Sequence, residues 1–170
     1  AITLREALAH SNNVITVKLL DTVGIPYFTD FAGKAGLNLA ARNDLSLALG
    51  TEEVTLQELV QAYTPLANGG LRAEARSIIS IYNRNTRTSV VNPSVVTPAI
   101  SPSTAYLTTS ILKDVMTYGT AKSLKKFTQE RPSAGKTGTT DDYRDAWFIG
   151  YTPQIVTGVW VGHDKPKPGG

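Results

Sequence analysis

The sequence predicts an α+β fold in which helices flank an antiparallel sheet. Two capping-box sequences, Thr3-x-x-Glu6 and Thr55-x-x-Glu58, each open a segment with apolar residues at helical spacing. Three short apolar runs separated by turn residues close the chain, and they predict consecutive strands. The chain has 170 residues, of which 41% are hydrophobic and 18% charged. This composition is sufficient for one compact core.

The N-terminal part is predicted to be helical with one interruption. Asn12 and Asn13 break the apolar periodicity, because asparagine side chains compete for backbone hydrogen bonds. We therefore expect two helices joined by a short turn that presents Ser11 and Asn13. Pro26 and Gly36 are expected to bracket a further short helix.

The middle of the chain predicts two more helices and a hairpin. The helix opened by the second capping box should end at the Asn-Gly-Gly sequence of residues 68–70. Alternating residues around the Asn-Arg-Asn sequence of residues 83–85 predict a hairpin within residues 77–91. Ser101 and Pro102 are expected to begin a helix that Gly119 ends.

The first closing strand begins with a lysine, glycines and hydroxyl-bearing side chains. The three strands are expected over about 134–140, 145–152 and 154–162. In strand geometry Thr137 and Thr139 point to one face. Gly138 between them permits close backbone approach. A carboxylate at this position would accept hydrogen bonds from both threonines and be attracted by Lys136, whereas an isolated lysine would be a solvated cation. The amide of Thr139 would polarise a carbonyl oxygen.

Ser11 and Asn13 have ordinary interpretations when each is taken by itself. A serine in an apolar helical stripe usually bonds back to a carbonyl one turn earlier, and an asparagine often caps a helix. Together, however, the Ser-Asn-Asn and the downstream Lys-Thr-Gly sequences resemble the Ser-x-Asn and Lys-Thr-Gly elements of class A penicillin-binding proteins. The resemblance spans the whole chain and includes Leu49-Gly50 and Gly119-Thr120-Ala121.

This resemblance implies that residues 1–170 are part of one transpeptidase domain, related in fold to the β-lactamases and incomplete in this chain. In the family pattern, Ser11 relays a proton, Asn13 holds the substrate amide, and Lys136 orients Ser11 and stabilises negative charge. Thr137, Gly138 and Thr139 are implied to bind the substrate, with the Thr139 amide in the oxyanion hole. These residues would form two of the three walls of a cleft.

The Ser-x-x-Lys nucleophile of the family is not found in its expected place. Such sequences begin at Ser110, Ser123 and Ser133, but the family's nucleophile precedes Ser-x-Asn. Ser110 is expected on the polar flank of its helix, and Ser133 and Lys136 on opposite faces of a strand. We therefore expect an upstream segment or a companion chain to supply the serine, and the isolated chain to be inactive.

The resemblance further implies a serine-type D,D-transpeptidase that cross-links peptidoglycan stem peptides at their D-Ala-D-Ala ends and binds β-lactams. A DD-carboxypeptidase and a non-catalytic β-lactam sensor or binding module remain alternatives. A class A β-lactamase is disfavoured, because no Glu-x-x-x-Asn sequence lies between Asn13 and Lys136. The implied location is the extracytoplasmic face of the bacterial membrane, with an anchor in a segment absent from this chain.

Charge and composition argue against several other classes. The 17 basic and 14 acidic residues give a net charge of +3 and are dispersed, so no basic stripe indicates nucleic acid. No cluster of acidic partners at ligand spacing accompanies His10 or His163. The sequence therefore predicts neither a metal site nor a cofactor.

Overall fold

The structure of the chain is a computed structural model that describes residues 2–39, 44–140 and 145–163. The helices are α1 (Leu4–Ala9), α2 (Asn13–Val23), α3 (Ile25–Ala35), α4 (Leu56–Ala67), α5 (Pro102–Thr117) and α6 (Lys125–Glu130). Short 3₁₀ helices span Leu45–Leu49 and Lys122–Leu124. The strands are β1 (Leu71–Ala73), β2 (Ser80–Asn83), β3 (Thr88–Val91), β4 (Val96–Pro98), β5 (Ala134–Thr139), β6 (Ala146–Tyr151) and β7 (Val156–Val161).

Local side-chain bonds define the helix starts that the sequence predicted. Both capping boxes are present, at the starts of α1 and α4. The expected turn after α1 is also present, but Asn13 is already the first residue of α2. Asn12 is the N-cap, because its side-chain oxygen accepts the backbone N–H of Ile15 at 3.1 Å. Pro26 lies in the first turn of α3 and Gly36 caps its end.

The three closing strands form an antiparallel sheet, as predicted, and the strand order is β5-β6-β7. Lys136, Ile149 and Gly158 are aligned across this sheet. A Cβ on Gly158 would meet side chains of Val60 and Leu56, so this face of the sheet packs against α4. The sheet therefore fixes the direction of the Lys136 side chain toward the helices.

The core lies between α5 and the helix-facing side of the sheet. Its buried members are Leu112, Val115, Met116, Ala121, Ala134 and Tyr151. Burial raises the pKa of Tyr63 and of Tyr151 to about 12, and the hydroxyl of Tyr151 hydrogen-bonds that of Thr109 at 2.9 Å. The strand that carries Lys136 thus begins in packed core.

Two smaller strand pairs lie outside this sheet. The predicted hairpin is present as β2 paired with β3, and its residues are exposed. The sequence did not predict the pairing of β1 with β4, because three-residue strands are too short for alternation to be recognised. The two 3₁₀ helices and α6 were also not predicted. Over the ranges that the structure describes, no helix is both long and apolar enough to cross a bilayer.

Candidate active site

Ser11 lies in a tight turn between α1 and α2. Its backbone has φ of 52°, the left-handed region that costs a non-glycine residue roughly 1–2 kcal/mol. Two backbone bonds hold the turn: Ser11 N–H donates to Leu8 O at 3.1 Å, and Asn12 N–H donates to Ala7 O at 2.8 Å. The strained turn presents the Ser11 side chain at the surface.

Lys136 connects this turn to strand β5. Its Nζ donates to Ser11 Oγ at 2.9 Å and to the backbone carbonyl of Thr137 at 2.7 Å. The side chain is half-buried, and burial lowers the pKa of Lys136 from its ordinary value. The two elements that the sequence singled out are therefore in direct contact, and the lysine is not a freely solvated cation.

The outer edge of β5 carries the predicted oxyanion donor. Thr140 donates its backbone N–H to Asp145 O at 3.2 Å, toward β6. Successive residues of a strand direct their N–H groups to alternate sides, so the Thr139 N–H points away from β6. The Thr137 carbonyl that Lys136 contacts points to this same edge. In the described part of the chain, β5 is an edge strand.

The remaining predicted site residues follow Ser11 or Lys136 closely in the sequence. Asn13 is exposed at the start of α2, two residues after Ser11. Thr137 is half-buried and Thr139 is exposed, and both lie on the face opposite Lys136. A Cβ on Gly138 would lie 3.3 Å from Trp147 Cβ on the neighbouring strand. Gly138 therefore serves close packing of β5 on β6.

A second connection between the turn and the strand was not predicted. Thr120 follows Gly119, just beyond α5. It donates its backbone N–H to Ala9 O at 3.0 Å. Its hydroxyl lies 2.6 Å from the hydroxyl of Thr137. The sequence offered only the similarity of Gly119-Thr120-Ala121 to the family pattern, which does not reveal a contact.

The Ser-x-x-Lys sequences have other partners. Ser110 Oγ accepts a hydrogen bond from Arg5 at 3.0 Å, and Arg5 also pairs with Asp114 at 2.5 Å. Ser133 is only 6% exposed, and its hydroxyl has no hydrogen-bond partner among the described residues. Lys136 contacts Ser11 instead. Ser110 is therefore not paired with Lys113, and Ser133 is not paired with Lys136.

The acidic turn before β6 is only partly described. From the sequence we expect Asp141, Asp142 and Asp145 to form a solvated turn, but Asp141 and Asp142 lie outside the described residues. Asp145 accepts a hydrogen bond from the indole N–H of Trp160 at 2.9 Å, and its own backbone N–H donates to Thr140 Oγ1 at 2.9 Å. Asp145 thus links Thr140, just beyond the end of β5, to Trp160 on β7.

Comparison with known proteins identifies relatives over nearly the whole chain. The family described as penicillin binding protein transpeptidase domain matches residues 1–167. Penicillin-binding protein 1A of Neisseria meningitidis is 38% identical over 98% of this chain, and that of Aquifex aeolicus is 41% identical over 98%. The chain spans only 21% and 22% of the lengths of these relatives.

Solved structures show the same fold. The crystal structure of penicillin-binding protein 1A from Haemophilus influenzae has a TM-score of 0.84 and 25% identity, over 96% of this chain and 30% of that one. The penicillin-binding protein PonA1 from Mycobacterium tuberculosis has a TM-score of 0.82 and 25% identity, over 96% of this chain and 48% of that one. The chain belongs to the penicillin-binding protein transpeptidase domain family.

Proposed function

We propose that this chain forms two walls of the active site of a serine-type D,D-transpeptidase that also binds β-lactams. The observation that carries the proposal is the 2.9 Å hydrogen bond from Lys136 Nζ to Ser11 Oγ. It joins residues that are remote in the sequence, and it places a cation beside a hydroxyl at an exposed strand edge. Such a pair can pass a proton and hold an anion.

The proposed reaction is acyl transfer through a serine that lies outside this chain. That serine attacks the carbonyl of the penultimate D-alanine of a stem peptide, and the terminal D-alanine leaves as the acyl-enzyme forms. An amine of a second stem then attacks the acyl group and releases the serine. A β-lactam imitates the D-Ala-D-Ala end, and its opened ring stays on the serine.

Each site residue has a role in this scheme. Ser11 carries a proton between the reacting nitrogen and the base, while Lys136 holds the Ser11 hydroxyl and favours its ionised form. Asn13 hydrogen-bonds the substrate amide. The hydroxyls of Thr137 and Thr139 bind the terminal carboxylate, Gly138 between them permits close backbone approach at this strand edge, and the Thr139 amide donates to the oxyanion.

The serine is proposed to come from an upstream segment or a companion chain, so residues 1–170 are inactive when isolated. The substrate is on the extracytoplasmic side of the bacterial membrane, and we place the site there, held by an anchor outside this chain. Residues 1–170 are accordingly a portion of one transpeptidase domain.

Product analysis of the full-length protein tests the proposal. The protein is incubated with a stem pentapeptide and an acceptor stem, and the products are separated by mass spectrometry. Release of D-alanine with formation of a cross-linked dimer is expected. Tetrapeptide without dimer would indicate a carboxypeptidase. A stable acyl adduct without any product would indicate a sensor, and neither product nor adduct would refute the proposal.

Replacing Ser11 with glycine should separate stability from activity. Glycine adopts the left-handed φ of this turn without strain, so the free energy of unfolding should be unchanged or rise by up to about 1 kcal/mol. Loss of the hydroxyl should nevertheless slow penicillin acylation. Thermal unfolding and acylation rates of the full-length protein check both effects. Normal acylation by Ser11→Gly would leave Ser11 with a structural role only.

The burial of Lys136 predicts an alkaline limit to acylation. Because burial lowers its pKa from 10.5, the ammonium is lost at a lower pH than in an exposed lysine. Acylation should therefore decline as the pH rises through the lowered pKa of Lys136. In Lys136→Arg, which keeps its charge, the decline should occur at a higher pH. The free energy of unfolding should rise with pH between the lowered pKa of Lys136 in the folded chain and its ordinary pKa of 10.5. In this range the unfolded chain still binds the Lys136 proton and the folded chain has lost it. Identical alkaline limits in both proteins would contradict this assignment.

A further inference from the structure

Thr120 touches both halves of the proposed site. Its backbone N–H donates to the carbonyl of Ala9, the last residue of α1 and two residues before Ser11. Its hydroxyl lies 2.6 Å from that of Thr137, on the strand that carries Lys136. The backbone contact of Thr120 therefore reaches the start of the turn that carries Ser11. Its hydroxyl contact reaches the strand that carries Lys136.

We propose that Thr120 is a positioning residue that fixes the Thr137 hydroxyl so that its proton points to the carboxylate of a bound ligand. This inference rests on the proposed function, because it assumes that an anion binds beside Thr137 and Lys136. Thr120 does not touch the ligand. It acts through Thr137.

The hydrogen bond between the two threonines can have either hydroxyl as its donor, and the choice decides whether Thr137 can bind an anion. A hydroxyl has one proton to donate and two lone pairs that accept. If Thr137 donated to Thr120, it would have no proton left for an anion. If Thr120 donates, Thr137 accepts with one lone pair and keeps its proton for the carboxylate. An anion at the site selects this second arrangement, in which each hydroxyl polarises the next.

The backbone contact of Thr120 can be kept while its hydroxyl is removed. Valine has nearly the shape of threonine and retains the N–H that bonds Ala9. Thr120 is exposed, so the substitution changes little packing. Serine at this position restores the hydroxyl. Thr22 is a matched control, because it is exposed and its hydroxyl bonds only the local Lys18 carbonyl at 2.8 Å among the contacts described.

The experiment compares acylation of the full-length protein by benzylpenicillin and by its methyl ester, which lacks the carboxylate charge. Thr120→Val should lower the second-order rate constant for benzylpenicillin about tenfold, the size of effect expected for a weakened charge-assisted hydrogen bond. The rate with the ester should change by less than about twofold, since the hydrogen bond at issue is to the charge. The rate constants of Thr120→Ser and of Thr22→Val should stay near those of the unaltered protein. The melting temperature should be the same in all four proteins.

Other outcomes overturn the inference in distinguishable ways. An equal loss with both compounds, or an unchanged or faster reaction of Thr120→Val with benzylpenicillin, would show that Thr120 does not orient Thr137 for an anion. A large fall in melting temperature with parallel loss for both compounds would show a structural role. Failure of the unaltered protein to be acylated at all would refute the proposed function and this inference with it.

Discussion

Replacing Lys136 with alanine is expected to slow penicillin acylation of the full-length protein at least tenfold. The lysine donates to Ser11 and lies at the proposed carboxylate site. Loss of a charge-assisted contact of this kind costs about 1.5–3 kcal/mol, and about 1.4 kcal/mol corresponds to a factor of ten. The rate is measured with a fluorescent penicillin under pseudo-first-order conditions, and folding is checked by thermal unfolding.

Two further variants test whether the loss of acylation is specific to the Lys136 side chain. Lys136→Arg should be only partly tolerated, because a planar guanidinium cannot place a compact charge beside Ser11 in the same way. Lys34→Ala removes an exposed lysine that pairs with Asp30 on α3, and it should leave acylation unchanged. Unchanged acylation by Lys136→Ala, or an equal loss in Lys34→Ala, would remove the anion-site assignment.

Replacing Gly119 with alanine is expected to produce the largest loss of stability among these single changes. A Cβ at this position would lie 2.1 Å from Ala9 O and 2.8 Å from Val115 Cα, both backbone atoms. These atoms cannot rotate away, so α1 and α5 must separate, at a cost of about 3 kcal/mol. Because Ala9 leads into the Ser11 turn, acylation should fall as well. Chemical unfolding and the acylation rate of the full-length protein measure the two effects.

Gly33→Ala is the matched control for this substitution. Gly33 lies inside α3, and a Cβ there would meet no atom within 4 Å. Alanine has the better helix propensity by up to about 1 kcal/mol, so this variant should be as stable as the unaltered protein or more stable. A Gly119→Ala protein that unfolds and reacts like Gly33→Ala would contradict the close approach of α1 and α5.

Local signals predicted much of the fold. The capping boxes, the proline at the start of α3 and the glycine at its end act within one helix turn, so their effect is visible in the sequence. The three closing strands were predicted because each is long enough for its turn residues and apolar content to be recognised. The partners of the site were anticipated through the family resemblance, which associates Ser11 with Lys136.

Contacts between remote residues were not predictable in the same way. The β1 and β4 pair depends on a register between short segments that have no pattern of their own. The bond between Thr120 and Thr137, and the approach of Gly119 to Ala9, exist only after α1, α5 and β5 have packed. No local propensity encodes such contacts, since they are consequences of the tertiary arrangement.

The position of the acyl group in the full-length protein shows whether the nucleophile lies outside residues 1–170. The protein is labelled to completion with benzylpenicillin, digested and mapped by tandem mass spectrometry. We expect one stoichiometric adduct on a serine outside residues 1–170, within a Ser-x-x-Lys sequence that precedes this chain. A stoichiometric adduct on Ser11, Ser110, Ser123 or Ser133 would contradict this expectation.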